Sequence, residues 1–267
     1  MHAVEGVTPA LGATSLPEFR RRRAVVTGGG SGIGLALTER LVADGASVLA
    51  VDVDAGRADS VAAVGGRFVL ADVSSPTDWD RVVQIAADDL GGLDLVVLNA
   101  GIPVLEPDPL AAPYERIARA YAVNVEGVVH GLRAGVPLLE DGGGDLVVVA
   151  SLAGLMSYPD DPYYAMTKHA VVGLGLSVAR PLAARSVRVT IFCPGVIDTP
   201  LVPEAVRTAV LAAGLDLLGP EDTASHLLEA LDRGGTGRIW TSQAQLGLVE
   251  HQMTKVELPR PPVRAAR

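Results

Sequence analysis

Cysteine and aromatic residues are scarce in this sequence. Of 267 residues only Cys193 is a cysteine, so no disulfide can form within the chain. No group of His and Cys residues has the spacing of metal ligands, and we predict no metal site. Aromatic residues make up 4% of the chain and hydrophobic residues 49%. The apolar content is therefore aliphatic, as it is in the buried strands of parallel sheets.

Long apolar runs and an excess of positive charge are also missing. No apolar stretch is long enough to span a membrane, and residues 1–17 lack the basic and apolar regions of a signal peptide. We therefore expect a cytoplasmic protein. The formal net charge is −9, which argues against nucleic acid as a partner because phosphate binding needs a basic surface. The basic cluster at 20–23 stands alone before an apolar strand, and we interpret it as solvated.

Short aliphatic strands alternate with helical segments along the chain. Strands are predicted at 24–26, 47–51, 67–71, 94–98, 145–150, 187–192 and 238–241. This alternation predicts an α/β fold in a single domain, a Rossmann-type doubly wound parallel sheet of about seven strands with helices on both faces. We expect a flexible extension at 1–20, the domain at 21–245 and a C-terminal tail at 246–267.

A glycine-rich segment follows the first strand. Residues 27–34 read TGGGSGIG and precede a helix predicted at 35–44. Glycines let a diphosphate approach the main chain closely, and the N–H groups at the start of the helix favour its negative charge. We predict a dinucleotide-binding loop here, and a flexible glycine loop without a ligand is the alternative.

Three further strands end at polar residues. These are Asp52, Asp72 and Asn99, and ligands of doubly wound sheets bind at such ends. Asp52 lies roughly 20 residues past the glycines, a position that suits a hydrogen bond to ribose hydroxyls. Its charge would repel a 2′-phosphate, which favours NAD over NADP. A second role for Asp52, as a cap of the next helix, is compatible with this one.

Tyr164 and Lys168 lie four residues apart on a helix predicted to begin near Tyr163. Side chains at this spacing share a helix face. A positive charge stabilises a phenolate and lowers the pKa of the phenol, so Tyr164 could exchange a proton with an alcohol or a ketone. The spacing also occurs by chance on solvated helices. Pro181 falls late in this helix and should kink it or end it nearby.

In this order the motifs resemble those of the short-chain dehydrogenases/reductases, over residues 23–241. Residues 27–34 are similar to the family's TGxxxGIG loop, residues 99–101 match its NAG motif, and residues 194–195 match its PG motif. Residues matching the catalytic tetrad of the family are Asn124, Ser151, Tyr164 and Lys168. Tyr163 is a rival for the catalytic tyrosine, but only Tyr164 has a lysine four residues on.

The resemblance implies a role for each member of the tetrad. Tyr164 is the acid/base, and Lys168 lowers its pKa and holds the nicotinamide ribose. Ser151 hydrogen-bonds the substrate oxygen. Asn124 supports a long helix, predicted at 113–139, and a water that connects Lys168 to solvent. The alternatives are that Ser151 only caps a turn and that Asn124 is a satisfied core amide.

The resemblance also implies a cofactor site. Its predicted members are Thr27, Gly28, Gly30, Ser31, Gly32, Ile33, Gly34, Asp52, Asp72, Val73, Asn99, Ala100, Gly101, Tyr164, Lys168, Pro194, Gly195, Ile197 and Thr199. We expect NAD, because Ser31 and Val53 occupy positions where relatives that prefer NADP often carry a basic residue. Arg57 is close to Asp52 in sequence and keeps NADP possible.

The substrate pocket in this family is lined by the loop after the catalytic serine and by a flap, here at about 197–219. The residues expected there are Leu152, Leu155, Met156, Tyr158, Val196, Ile197, Leu201 and Val202. None of them is charged. We therefore expect an uncharged, apolar secondary alcohol or ketone, alicyclic or steroid-like.

The function that the resemblance implies is an NAD-dependent alcohol dehydrogenase, with residues 21–245 as its NAD(P)-binding catalytic domain. One alternative is an NADP-dependent carbonyl reductase. The other is a non-catalytic NAD-binding regulatory protein, which is less favoured because the chain keeps both Tyr164 and Lys168. The family implies a homodimer or homotetramer, although Pro181 lies in the helix expected at the interface.

Overall fold

A central sheet organises the molecule. A computed structural model describes residues 22–140 and 142–254; the predicted extension at 1–20 and the part of the predicted tail at 255–267 lie outside the described residues. The strands are β1 (Arg23–Thr27), β2 (Ser47–Asp52), β3 (Arg67–Leu70), β4 (Leu95–Leu98), β5 (Gly144–Val149), β6 (Val187–Pro194), β7 (Arg238–Gln243) and β8 (Gly247–His251). Their order across the sheet is β3-β2-β1-β4-β5-β6-β7-β8, and all neighbours are parallel except β7 and β8.

Helices connect the parallel strands. They are α1 (Gly32–Ala43), α2 (Ala58–Ala63), α3 (Pro76–Ile85), α4 (Tyr114–Tyr121), α5 (Gly127–Glu140), α6 (Pro162–Ala183), α7 (Glu204–Ala212) and α8 (Pro220–Asp232). Short turns of 3-10 helix occupy Ala55–Arg57 and Leu152–Gly154, and π-helical turns occupy Ala86–Leu90 and Ala122–Glu126.

The two faces of the sheet carry two separate apolar clusters. Successive side chains of a strand point to opposite faces, so Val25 packs with the cluster of α3, α5 and α6, while Val26 packs with that of α1 and α8. Val96 and Val97 divide in the same way. This arrangement confirms the predicted doubly wound sheet with helices on both faces.

The sheet extends past the predicted domain boundary. A tail was expected from residue 246, but β8 pairs antiparallel with β7, and Ile239 opposes His251. An ion pair between Arg238 and Glu250, 3.1 Å apart, joins the two strands. The sequence signal was weak, because β8 is five residues long and contributes little to the core. Tertiary pairing decides its conformation.

Two helical predictions change in detail. The long helix expected at 113–139 is interrupted by the π-helical turn Ala122–Glu126, which contains Asn124. The segment expected to be a flap contains α7, none of whose residues is buried. Pro181 lies in the last turn of α6, which ends two residues later at Ala183, so the prediction that it ends the helix nearby is confirmed. No helix in residues 22–140 or 142–254 has the length and apolar character needed to cross a membrane.

Candidate active site

The carboxyl ends of β1 and β4 are tied together by Thr27 and Asn99. The hydroxyl oxygen of Thr27 accepts hydrogen bonds from the backbone N–H groups of Asn99 at 2.9 Å and Ala100 at 3.0 Å. The side-chain amide of Asn99 donates to the carbonyl of Thr27 at 2.9 Å. Two segments that are 72 residues apart in sequence therefore meet beside the glycine-rich loop.

The glycine-rich loop forms a cradle that side chains would fill. Gly28 has a φ of +61°, and a Cβ at Gly34 would lie 2.1 Å from the carbonyl oxygen of Gly28. Ser31 is the N-cap of α1, but its side chain makes no capping hydrogen bond. The first N–H groups of α1 thus receive no cap from Ser31, and a helix N-terminus of this kind favours an anionic group. These residues fit the diphosphate of a dinucleotide.

Asp52 and Arg57 lie beside this cradle. The carboxylate of Asp52 accepts hydrogen bonds from the backbone N–H groups of Gly30 and Asp54, both at 3.1 Å. Arg57 forms an ion pair with Asp54 at 3.1 Å. A Cβ at Gly30 would lie 2.5 Å from that of Arg57, so the stem of Arg57 runs along the loop. An acid and a paired cation therefore both flank the place where a ribose would lie.

Asp72 has partners of its own. It accepts hydrogen bonds from the hydroxyl of Ser74 at 2.6 Å and from Arg119 at 3.0 Å. Burial alone would raise the pKa of Asp72, but these hydrogen bonds outweigh burial and lower the pKa. Val73 is buried, and its side chain lies against Gly127. A role for Asp72 and Val73 in holding the cofactor stays a prediction.

Asn124 is fully buried in the π-helical turn and holds two segments together. Its side-chain oxygen accepts from the N–H of Ile102 at 2.8 Å, and its amide donates to the Ile102 carbonyl and the Thr167 hydroxyl, both at 2.9 Å. A Cβ at Gly101 would lie 3.3 Å from this oxygen and 3.2 Å from the Lys168 ammonium. Asn124 is therefore a satisfied core amide; its support of a water beside Lys168 stays a prediction.

Lys168 and Tyr164 project from the same face of α6. The Lys168 side chain is 3% exposed, and its ammonium donates to the carbonyl of Val149 at 3.1 Å. The ammonium lies 5.6 Å from the centre of the Tyr164 ring. Burial lowers the pKa of Lys168 to about 8, because the charged form loses its hydration.

The proton affinity of Tyr164 differs from the sequence-based expectation. Lys168 was expected to lower the pKa of Tyr164, but burial raises that pKa to about 12, against a hydrogen bond with Ser151 that lowers it. The physical reason is desolvation: the protein atoms packed around the Tyr164 side chain penalise the phenolate more than its neighbours stabilise it. Tyr164 is therefore held in its protonated form.

Ser151 and Tyr163 take separate roles. Ser151 caps the turn Leu152–Gly154, where its side-chain oxygen accepts from the N–H of Ala153 at 3.1 Å, and it also hydrogen-bonds Tyr164. The hydroxyl of Tyr163 donates to the carbonyl of Pro109 at 2.7 Å. Tyr163 is thus a contact between helix and loop, and the geometry favours Tyr164 as the reactive tyrosine.

A cavity of about 370 Å³ opens between Tyr164 and the segment after β6. Residues predicted for the site that line it are Ile33, Asn99, Gly101, Ser151, Leu152, Met156, Tyr158, Tyr164, Lys168, Pro194, Gly195, Val196, Ile197, Thr199, Leu201 and Val202. Leu155 was expected there, but it packs against the core cluster of α6 instead. The other predicted cofactor residues lie outside the cavity, at the ends of β1, β2, β3 and β4.

Sequence reasoning missed part of this lining. The additional residues are Pro103, Leu105, Val149, Ala150, Ala153, Asp160, Asp161, Pro203 and Val206. The expected lining was uncharged, whereas Asp160 and Asp161 bring two carboxyl groups to the wall. Pro103 and Leu105 directly follow the Asn99–Gly101 motif, and this proximity was the one signal in the sequence that could have identified them.

The fold and the site together define a nucleotide-binding oxidoreductase of the Rossmann type. The family model for the short chain dehydrogenases matches residues 22–209, and the chain belongs to that family. It is 38% identical over 223 residues to a 1-deoxy-11-beta-hydroxypentalenate dehydrogenase of Streptomyces exfoliatus, covering 80% of each chain.

A second relative and a solved structure agree with this. A cyclohexanol dehydrogenase of Acinetobacter is 33% identical over 194 residues, which cover 70% of this chain and 77% of that one. The crystal structure of a 3-ketoacyl-(acyl-carrier-protein) reductase from Brucella melitensis, complexed with NADH, superposes with a TM-score of 0.78 at 28% identity. The superposition covers 84% of this chain and 97% of that one.

Proposed function

We propose that the protein interconverts a secondary alcohol and a ketone with NAD, and that Tyr164 is its acid/base. One observation carries the proposal: Tyr164, Ser151 and Lys168 meet at one wall of a cavity whose other walls are mostly apolar. Membership of a dehydrogenase family and relatives named for hydroxylated substrates support it.

Each residue has a defined task in this chemistry. When bound, the nicotinamide ring supplies or takes up the hydride. The Tyr164 hydroxyl, whose pKa burial raises in the protein without cofactor, donates its proton to a ketone oxygen. In the reverse direction its phenolate takes the alcohol proton, which requires that the positive charges of Lys168 and of the oxidised nicotinamide lower this pKa on binding. Ser151 hydrogen-bonds the same oxygen. The glycine-rich loop, Asp52 and Lys168 hold the cofactor.

The substrate that the cavity favours is uncharged and alicyclic or steroid-like. The substrate would share the cavity of about 370 Å³ with the nicotinamide, because predicted cofactor residues such as Ile33, Asn99 and Thr199 line the same space. Two relatives are named for substrates that carry a carboxylate, hydroxypentalenate and hydroxybutyrate. The cavity is poorly suited to such an anion. Lys168 is the single cation among the described lining residues, and the negative charge of Asp160 in the wall would repel a carboxylate. The relative named for cyclohexanol fits these walls better.

NAD is the proposed cofactor, because the Asp52 carboxylate would repel a 2′-phosphate. The position of Arg57 along the glycine-rich loop favours a second candidate, an NADP-dependent carbonyl reductase. The guanidinium of Arg57 is already paired with Asp54, which supports NAD as the first choice.

We further propose a homodimer or homotetramer in the cytoplasm. Support comes from the exposed face of α6, the longest of the helices described, where Met166, His169 and Gly173 face outward. Pro181 lies in the last turn of this helix, so the rest of the face is regular.

The variant Tyr164→Phe tests the assigned role. It should lower kcat by about 10²–10⁴-fold, because it removes the proton donor, and leave the Kd for NADH within about twofold of wild type. Tyr163→Phe, the matched control, loses one hydrogen bond to a loop and should keep its turnover within about tenfold. Comparable turnover in Tyr164→Phe and wild type would overturn the role.

A panel of cyclic alcohols and ketones tests the function itself. Turnover of at least one of them by the wild-type protein is the expected result. Tight NADH binding without any turnover across the panel would instead support the non-catalytic NAD-binding alternative.

A further inference from the structure

One wall of the cavity comes from an irregular loop between β4 and α4. Pro103 and Leu105 of this loop line the cavity, and residues 102–106 have no helical or strand structure. Leu105 is 49% exposed. An irregular, partly exposed segment can define a substrate wall only if something fixes its backbone.

Asp161 fixes that backbone. Its side chain is buried, and one carboxylate oxygen accepts the N–H groups of Val104 at 2.8 Å and Leu105 at 2.7 Å. The other oxygen accepts the N–H of Tyr164 at 3.1 Å, as the N-cap of α6. One carboxylate thus joins the loop directly to the first turn of the helix that carries the reactive tyrosine.

Leu105 has a backbone conformation that needs such support. Its φ is +58°, in the left-handed region that residues other than glycine, asparagine and aspartate rarely adopt. Hydrogen bonds from N–H groups to an ionised carboxylate are roughly twice as strong as neutral ones. The bond to Asp161 is therefore well suited to hold Leu105 in this conformation, with its side chain at the cavity.

The capping role alone does not explain an aspartate here. A serine hydroxyl caps a helix as well as a carboxylate does, and it would satisfy the N–H of Tyr164. A serine is too short to reach the two loop N–H groups at the same time. A second contact joins the same two elements, since the Tyr163 hydroxyl donates to Pro109 at 2.7 Å.

We propose that Asp161 is a positioning residue that determines substrate selectivity through Leu105. By holding Leu105 in its left-handed conformation, it sets the distance between an apolar wall of the cavity and the Tyr164 hydroxyl. This inference rests on the proposed alcohol dehydrogenase activity for its kinetic consequences. The hydrogen bonds from the N–H groups of Val104, Leu105 and Tyr164 to the Asp161 carboxylate form a clamp between the loop and α6. This clamp can be measured without turnover.

The variant Asp161→Ser separates the clamp from the cap. In hydrogen–deuterium exchange of the full chain, the N–H groups of Val104 and Leu105 should exchange about tenfold faster or more, since each loses a charge-assisted bond. The N–H of Tyr164 should keep its protection. Asp108→Ser is the matched control, because the Asp108 carboxylate accepts the N–H of Leu110 within the loop at 2.9 Å and bonds to no residue of α6 in the described part of the chain. It should leave the exchange of Val104 and Leu105 unchanged.

Kinetics test the consequence for selectivity. The ratio of kcat/KM for cyclohexanol to that for a bulkier bicyclic decalol should fall about tenfold in Asp161→Ser, mostly through KM for cyclohexanol, because the wall moves away from the smaller ring. Leu105→Gly removes the wall side chain and should change the ratio in the same direction. Asp161→Ser should then have no further effect in the Leu105→Gly background.

Several results would overturn the proposal. They are unchanged exchange of Val104 and Leu105 in Asp161→Ser, an unchanged selectivity ratio, and additive effects in the double variant. Failure of Asp161→Ser to fold, judged by far-ultraviolet circular dichroism and NADH affinity, would also do so, because it would assign Asp161 to stability alone. If the wild type turns over no member of the panel of cyclic alcohols and ketones, the proposed function fails, and the exchange experiment still decides whether the clamp exists.

Discussion

Tyr164 lines the cavity, and burial of its side chain raises its pKa to about 12. A free tyrosine ionises near pH 10. Because the shift is upward, Tyr164 stays protonated through the range in which exposed tyrosines lose their protons. Without added cofactor, the tyrosinate absorbance of wild type and Tyr164→Phe should therefore be equal at about pH 10.

A loss of tyrosinate absorbance at this pH in Tyr164→Phe would contradict the prediction. It would mean that the pKa of Tyr164 is lowered after all, as the sequence motif implies.

Gly101 separates Lys168 from Asn124. A Cβ at this position would lie 3.2 Å from the Lys168 ammonium and 3.3 Å from the Asn124 oxygen, closer than most real contacts. Gly101→Ala should displace the ammonium by a few tenths of an ångström and lower kcat by about tenfold, since catalysis is sensitive to small misplacements. Steady-state kinetics with a cyclic alcohol measures this.

Gly142→Ala makes the same chemical change away from the cavity. Gly142 is exposed in the turn before β5, and a Cβ there would meet nothing within 4 Å. We expect unchanged turnover and a free energy of unfolding within about 0.5 kcal/mol of wild type. Equal kinetics of the two alanine variants would show that the space beside Lys168 is not critical.

At the scale of elements, strand β8 completes the sheet. Removing residues 247–267 should lower the free energy of unfolding by roughly 2–5 kcal/mol, because the β7–β8 hydrogen bonds are lost, and it should promote aggregation through the uncovered edge of β7. A chain ending at residue 254 keeps β8 and should unfold close to wild type. Denaturant titration measures both chains, and equal stabilities would restore a domain boundary at residue 245.

At the scale of the whole molecule, cofactor binding stabilises the fold. A ligand at 100 times its Kd raises the free energy of unfolding by about 2.7 kcal/mol, which corresponds to roughly 5–10 °C in Tm for a chain of this size. At equal concentrations NADH should give a larger Tm shift than NADPH, because Asp52 repels a 2′-phosphate. A larger Tm shift with NADPH would contradict this and would indicate that Arg57 binds the 2′-phosphate.

The amino-acid sequence by itself determined the fold class and identified the four residues that we propose as the catalytic tetrad. Both depend on local patterns: the alternation of strands and helices, a glycine loop between a strand and a helix, and a tyrosine four residues before a lysine. Most residues expected in the cavity do line it. Local spacing identifies such residues because parallel strands bring their carboxyl ends to one edge of the sheet.

Only the tertiary structure decided how these residues behave. The pairing of β8, the partner of Tyr163, the inward packing of Leu155 and the clamp by Asp161 join residues distant in sequence, and 57 positions separate Asp161 from Val104. The direction of the Tyr164 pKa shift depends on how much protein surrounds the hydroxyl, and no spacing along the chain records that. The sequence therefore determined which groups are present, and burial and long-range contacts determined their protonation and their positions.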